Sequence, residues 1–194
     1  MLRIYKQSDD DKGATALRAS LSGVGINLLE LRQERCFTVE LSSDAEPLSS
    51  AEEQKLMWLV AETFEPGLTG MRSTLDPLAT VGGRRLLEVG PRLTFCTAWS
   101  SNAVGICHAC GLTQVTRVEC FRRYLLRTAP ELTAVQLKQH AESVHDRMTE
   151  CVYDTPLASF QSDAVPAAVR TVPLLARGRV ALEEVSAQLG LGFD

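Results

Sequence analysis

The stretch VGINLLELRQERCF (Val24–Phe37) changes its periodicity at one glycine. Before it, Leu17, Leu21 and Val24 recur at i, i+4 and i+7, which predicts one apolar helical stripe over residues 14–24. Gly25 stands where a left-handed cap ends such a helix. After it, residues 28–41 alternate. Leu29, Leu31, Phe37, Val39 and Leu41 fall on one side, and Glu30, Arg32, Glu34 and Glu40 on the other. This predicts a half-buried strand, bent near Gln33 and Arg35, which break the alternation.

CGLTQVTRVECF (Cys110–Phe121) echoes that stretch. Gly111 stops a helix and a Cys-Phe pair follows nine residues later, against eleven after Gly25. Working outward, residues 2–5 read as a first strand. Ser49 and Glu52 form a capping box for a helix carrying Leu56, Leu59, Val60 and Thr63 and ending by Pro66. Residues 65–83 are turn-rich and read as a surface loop, 85–89 as a strand and 115–127 as another. A helix over 101–110 places Ala103, Ile106, Cys107 and Cys110 on one face. A second over 133–149 presents Leu137, Ala141, Val144 and Met148.

Strand, helix, strand, helix, then the same order again, predicts an α+β domain with helices on one face of an antiparallel sheet. Its halves, residues 1–65 and 84–150, would pair their sheets as a pseudo-dimer. Pro156, Pro166 and Pro173 mark an extended linker from Tyr153 onward. A last helix over 175–189 carries Leu182, Val185 and Leu189 and stops at Gly190. Ending so soon after an apolar helix is what a piece of a longer protein is expected to do.

The bulk numbers bound the function. Hydrophobic residues make up 45% of 194, enough for a packed core. The net charge is −4 and no long Lys/Arg run exists, against a nucleic-acid footprint. No stretch reaches the apolar length of a membrane span, and the first residues lack a secretory pattern. Six scattered cysteines in such a chain predict free thiols in the cytoplasm.

Three constellations can carry chemistry. Cys107-His108-Ala109-Cys110 has metal or redox spacing, yet both thiols sit on the apolar stripe, where cysteine packs as a small hydrophobe. Gly90-Pro91-Arg92 with Ser100-Ser101-Asn102 combines a helix start with an arginine fork. Ser100 or Ser101 would cap the helix and Arg92 would reach the same place, an anion site or an ordinary N-cap. His145-Asp146 are sequence neighbours that diverge on a helix. The sequence thus offers Arg92, Ser100, Ser101 and Asn102 as candidate binding residues and names no catalytic residue or metal ligand.

Four blocks in order, LLEVGPRLTFCTAWSSNAVGICHACGL, VTRVECFRRYLL, VHDRMTE and GRVALEEVSAQLGLGFD, resemble the N-terminal region of the phosphoribosylformylglycinamidine synthase family, the large single-chain glutamine-dependent form. The resemblance covers residues 52–194, including SSAEEQKLMWL at its start, and is vague before Leu41. It implies ferredoxin-like halves, since the family's N-terminal domain resembles a dimer of a small accessory subunit. It implies a whole enzyme converting formylglycinamide ribonucleotide, ATP and glutamine to formylglycinamidine ribonucleotide. ATP and magnesium belong to a synthetase domain, and ammonia comes from a cysteine glutaminase domain of the same polypeptide. None of the six cysteines here is then that nucleophile, and this part needs no cofactor. It is an interdomain scaffold, with Arg92, Ser100, Ser101 and Asn102 on the family's Gly-Pro-Arg and Trp-Ser-Ser-x-Ala blocks. The competing reading is a free-standing non-catalytic small-molecule or regulatory module.

Overall fold

The computed structural model describes residues 1–7, 12–61, 64–161 and 165–192. The chain divides into two units, Met1–Ser162 and Asp163–Asp194. The first unit is a single antiparallel sheet with helices. Its strands are β1 (Leu2–Gln7), β2 (Asn27–Leu41), β3 (Thr69–Gly70), β4 (Arg85–Pro91), β5 (Val115–Ala129) and β6 (Glu150–Tyr153). They lie side by side in the order β3-β1-β2-β5-β4-β6, every pairing antiparallel. The helices of this unit are α1 (Lys12–Gly23), α2 (Ser50–Val60), α3 (Asp76–Ala79), α4 (Ala98–Ala109) and α5 (Ala134–Ala141). The second unit holds α6 (Leu174–Arg177) and α7 (Arg179–Leu189). The α+β class is as the sequence predicts, but the strands join in one sheet across the β2–β5 pair.

Two apolar clusters lie on one face of that sheet. Leu17 and Leu21 of α1 and Leu137 and Ala141 of α5 pack on Leu87, Val89, Tyr124 and Leu126. Leu56 of α2 and Cys107 of α4 pack on Ile4, Phe37, Val39 and Val118. Each buried leucine or phenylalanine contributes about 1.5–3 kcal/mol relative to exposure. Both helices before the echoed segments end alike. Gly25 (φ 73°) lets Ile26 N–H reach Leu21 O at 3.0 Å, and Gly111 (φ 84°) lets Leu112 N–H reach Cys107 O at 2.8 Å.

The departures from the sequence reading have local causes. Gly25 turns the chain so that Val24 is left 61% exposed. A register shift between Leu28 and Glu30 leaves Leu29 half exposed, while Leu28 packs on the core. Val152 and its neighbours, expected at the mouth of a linker, form β6 against β4. Helix α5 stops at Ala141, so Met148 stands exposed, and Ile106 of α4 also faces outward. The tail helix is broken at Gly178 (φ 56°) into α6 and α7. Thr63, expected on α2, lies outside the described residues.

The opposite face is not the solvated one the alternation suggests. Glu34, placed there as a polar outward residue, is buried. The expected loop over 65–83 supplies part of the cover: Ser73 Oγ, Thr74 N and Thr74 Oγ1 all donate to the Glu34 carboxylate. Residues 157–161 supply more, with Phe160 stacked on Phe121 at 6.4 Å in a third cluster that includes Cys36.

Candidate functional site

Helix α4 begins earlier than its sequence suggests. Thr97 is the N-cap, in extended conformation, and its Oγ1 accepts from Ser100 N–H at 3.0 Å. Ser100 is therefore inside the first turn, fully buried, and its Oγ accepts from Val118 N–H of β5 at 3.2 Å. Ser101 Oγ donates to Thr97 O at 3.4 Å and lies 3.9 Å from Cys96 Sγ. Asn102 is exposed one residue further on.

A carboxylate of the chain itself already occupies the helix start. Thr97 N–H and Thr97 Oγ1 donate to Glu119 at 3.2 and 2.7 Å, and Arg117 Nη2 donates to the same carboxylate at 2.9 Å. Glu119 is fully buried, so these donors and the dipole of α4 replace its lost hydration. Arg92 does not join this group. Its Nε and Nη2 donate to Arg147 O at 3.0 and 2.7 Å, and its own N–H to Thr149 O. The sequence thus brings Ser100, Ser101 and Asn102 together but sends Arg92 to the turn before β6.

All six cysteines are free. Cys107 is buried in the core cluster, the packing role its stripe position suggests, and Cys110 is half-buried at the helix end. Among the described residues no group of three His, Cys, Asp or Glu side chains could hold a metal ion. No described helix is long and apolar enough to cross a membrane. His145 Nδ1 lies 2.7 Å from Ala141 O, and Asp146 accepts from Met148 N–H, so neither is set against a nucleophile.

The largest polar assembly was not legible in advance. On the face away from the α1, α2, α4 and α5 helices, buried Arg123 donates to Glu34, to Glu88 Oε2 at 2.9 Å and to Asp76 Oδ1 at 2.5 Å. Arg3 Nη2 donates to the other oxygen of Glu88 at 2.6 Å, and Arg3 Nε to Cys36 Sγ at 3.0 Å. Both guanidinium groups stand over the Tyr5 ring, 5.5 and 5.2 Å from its centre. Burial pushes the Tyr5 phenol and the Cys36 thiol up from their ordinary values. The one available signal was cross-strand charge. Glu34 pairs with Arg123 and Arg123 with Glu88 in the register, a ladder visible only once the strands are aligned.

Residues 34–160 match a family model described as "Formylglycinamide ribonucleotide amidotransferase N-terminal". The chain belongs to that family. Among curated relatives, an Arabidopsis thaliana protein named probable phosphoribosylformylglycinamidine synthase, chloroplastic/mitochondrial, is 43% identical over 186 residues, 95% of this chain and 13% of its own length. A Dictyostelium discoideum phosphoribosylformylglycinamidine synthase is 40% identical over 171 residues, covering 87% of this chain and 12% of that protein. The human protein of the same name is 36% identical over 197 residues, 100% of this chain and 14% of its own. The chain therefore spans about one eighth of the relatives it matches, and the family's N-terminal model covers β4, β5 and the second half of β2.

Proposed function

We propose that this chain is the N-terminal scaffold of a glutamine-dependent phosphoribosylformylglycinamidine synthase. The whole enzyme would convert formylglycinamide ribonucleotide, ATP and glutamine to formylglycinamidine ribonucleotide in the cytoplasm. ATP and magnesium would be held by a synthetase domain, and ammonia released by a glutaminase domain of the same polypeptide. The observation that carries the reading is the family match over 34–160, with relatives that continue for many times this length.

Residues 1–150 are, in this reading, an accessory-subunit-like pseudo-dimer with ferredoxin-like halves. Residues 151–194 are the linker region, its first residues tethered to the sheet through β6. The pseudo-dimer is supported by the strand order: β1 and β4 flank the central β2–β5 pair, so β1–β2 and β4–β5 lie in mirrored order. The matching glycine stops at Gly25 and Gly111 support it too. Arg92, Ser100, Ser101 and Asn102 would face or brace the neighbouring domains. Ser100 and Ser101 would do so by fixing the start of α4.

Two measurements test this. The chain alone, given formylglycinamide ribonucleotide, ATP, magnesium and ammonia, should give no turnover above blank; turnover would overturn the scaffold role. In the whole enzyme, Arg92→Ala should raise the KM for the ribonucleotide or loosen coupling of glutamine hydrolysis to product. Unchanged kinetics and stability would remove Arg92 from the interdomain contact.

A further inference from the structure

A row of three basic side chains crosses the helix-covered face of the sheet. Lys6 of β1 is the register partner of Arg35 on β2, and Arg35 is the register partner of Arg122 on β5. Like charges directly opposite one another destabilise a sheet, so such a row needs negative charge beside it. Arg122 has it: its Nη2 donates to Glu150 Oε2 at 2.6 Å and to Val144 O at 2.9 Å. Arg35 is exposed, and among the described residues its side chain makes no hydrogen bond or ion pair.

The row falls in the gap between the two helix pairs, α1 with α5 and α2 with α4. Arg35 lines a cavity on each side of it. One, of about 680 Å³, also takes in Arg122, Asp146 and Glu150. The other, of about 500 Å³, is lined by Arg35, Lys6, Phe37, Trp99, Asn102 and Ile106 among others, and none of the described residues lining it is a carboxylate. Its volume is within the range of about 300–1,000 Å³ usual for small-molecule sites. Trp99 stacks on Phe37 at 5.9 Å and 25°, yet stays 45% exposed. An aromatic wall, an apolar floor at Val118 and Cys107, and an arginine with no ion pair among the described residues thus share one cavity.

We propose that this cavity binds a small aromatic anion, its flat ring against Trp99 and Phe37 and its phosphate, sulfonate or carboxylate on Arg35. The arginine fork gives a two-bonded grip on such a group, and the ring wall supplies the area that a bare inorganic anion lacks. The site is independent of the scaffold role and of the four helix-start candidates, apart from Asn102 on its rim.

The test is a fluorescence titration with 8-anilinonaphthalene-1-sulfonate, an aromatic anion, on the whole polypeptide and on this chain. N-phenyl-1-naphthylamine serves as the uncharged counterpart and inorganic sulfate as the competitor without a ring. The expected result is one saturable site at least about tenfold tighter for the sulfonate than for the uncharged ring. It should weaken about tenfold in Arg35→Gln and in Trp99→Leu and be unchanged in Arg18→Gln, which is exposed on α1. Arg35→Gln is a surface change, so it keeps the test decisive if Trp99→Leu fails to fold. Binding that ignores Arg35→Gln would be adventitious and would overturn the proposal. So would equal affinity for the charged and uncharged rings, or binding to this chain that disappears in the whole polypeptide.

Discussion

Arg123 on β5 and Glu88 on β4 face each other in the register, and their side chains meet at 2.9 Å inside the protein. Both are buried, and neither is alone: Glu34 and Asp76 share the guanidinium, while Arg3 takes the second oxygen of the Glu88 carboxylate. A charge is held away from water here only because every partner is present. Arg123→Met should therefore destabilise the fold by about 3–5 kcal/mol, because it leaves buried Glu34 without its cation and Glu88 with Arg3 alone. Urea unfolding measures this, and a loss below about 1 kcal/mol would mean that water reaches the network.

Gly90 sits where β4 passes under Phe121. A Cβ at this position would lie 2.1 Å from the ring, and the ring is itself packed between Tyr153 and Phe160. Gly90→Ala should cost about 1–3 kcal/mol by overpacking, with an unchanged far-UV spectrum and a lowered Tm. An unchanged Tm would show that the cluster around Phe160 gives way freely.

Ser100→Ala tests the start of α4. The hydroxyl is buried and accepts from Val118 N–H, so its loss orphans a backbone donor in the core, at about 1–3 kcal/mol. Ser101→Ala, on an exposed side chain, should stay within about 0.5 kcal/mol. Equal effects of the two would contradict the assignment of Thr97 as the cap.

Burial pushes the Cys120 thiol up to about 11. At pH 8 iodoacetamide should modify exposed Cys96 and spare Cys120, read by mass spectrometry of peptides. The folded pKa is raised above the ordinary value of 9.0, so the fold favours the protonated thiol. Its contribution to stability is complete below about pH 9 and lost as pH rises through about 11. In Cys120→Ala that part of the alkaline decline should vanish.

The carboxylate of Glu52 is held down at about 2 by its bonds from the Ser49 hydroxyl and N–H and from Gln114. The stability of the capping box is then present above about pH 4.5 and lost as pH falls through about 2. Glu52→Gln should flatten that part of the acid unfolding curve. An unaltered curve would show that the cap does not hold α2.

Much of the fold was legible because local chemistry and tertiary placement agreed. Gly25 and Gly111 stop their helices as their sequence positions require, Ser49 and Glu52 form the capping box, and Leu17, Leu21, Leu137 and Ala141 face the sheet. Where the reading failed, a distant residue decided the outcome. Glu34 alternates like a solvent-facing residue and is buried because Arg123, Ser73 and Thr74 come to it from far along the chain. The candidate site was half legible for the same reason. Ser100 and Ser101 point to a nearby helix start, although the cap itself is Thr97. The occupant of that start, Glu119, and the diversion of Arg92 to Arg147 depend on the order of strands in the sheet.

The central β2–β5 ladder joins residues far apart in the chain, from Leu41 with Val115 at one end to Asn27 with Ala129 at the other. On the ribosome, β2 is complete long before its main partner has been made. It then has β1 on one edge and a long unpaired edge on the other, the kind of surface that recruits a second nascent chain. The charges of Glu30, Arg32, Glu34 and Arg35 on the two faces of β2 disfavour such pairing with another chain. Two of these charges, Glu30 and Glu34, then take Arg84 and Arg123 in the finished sheet, so one set of side chains serves the strand both before and after it is paired.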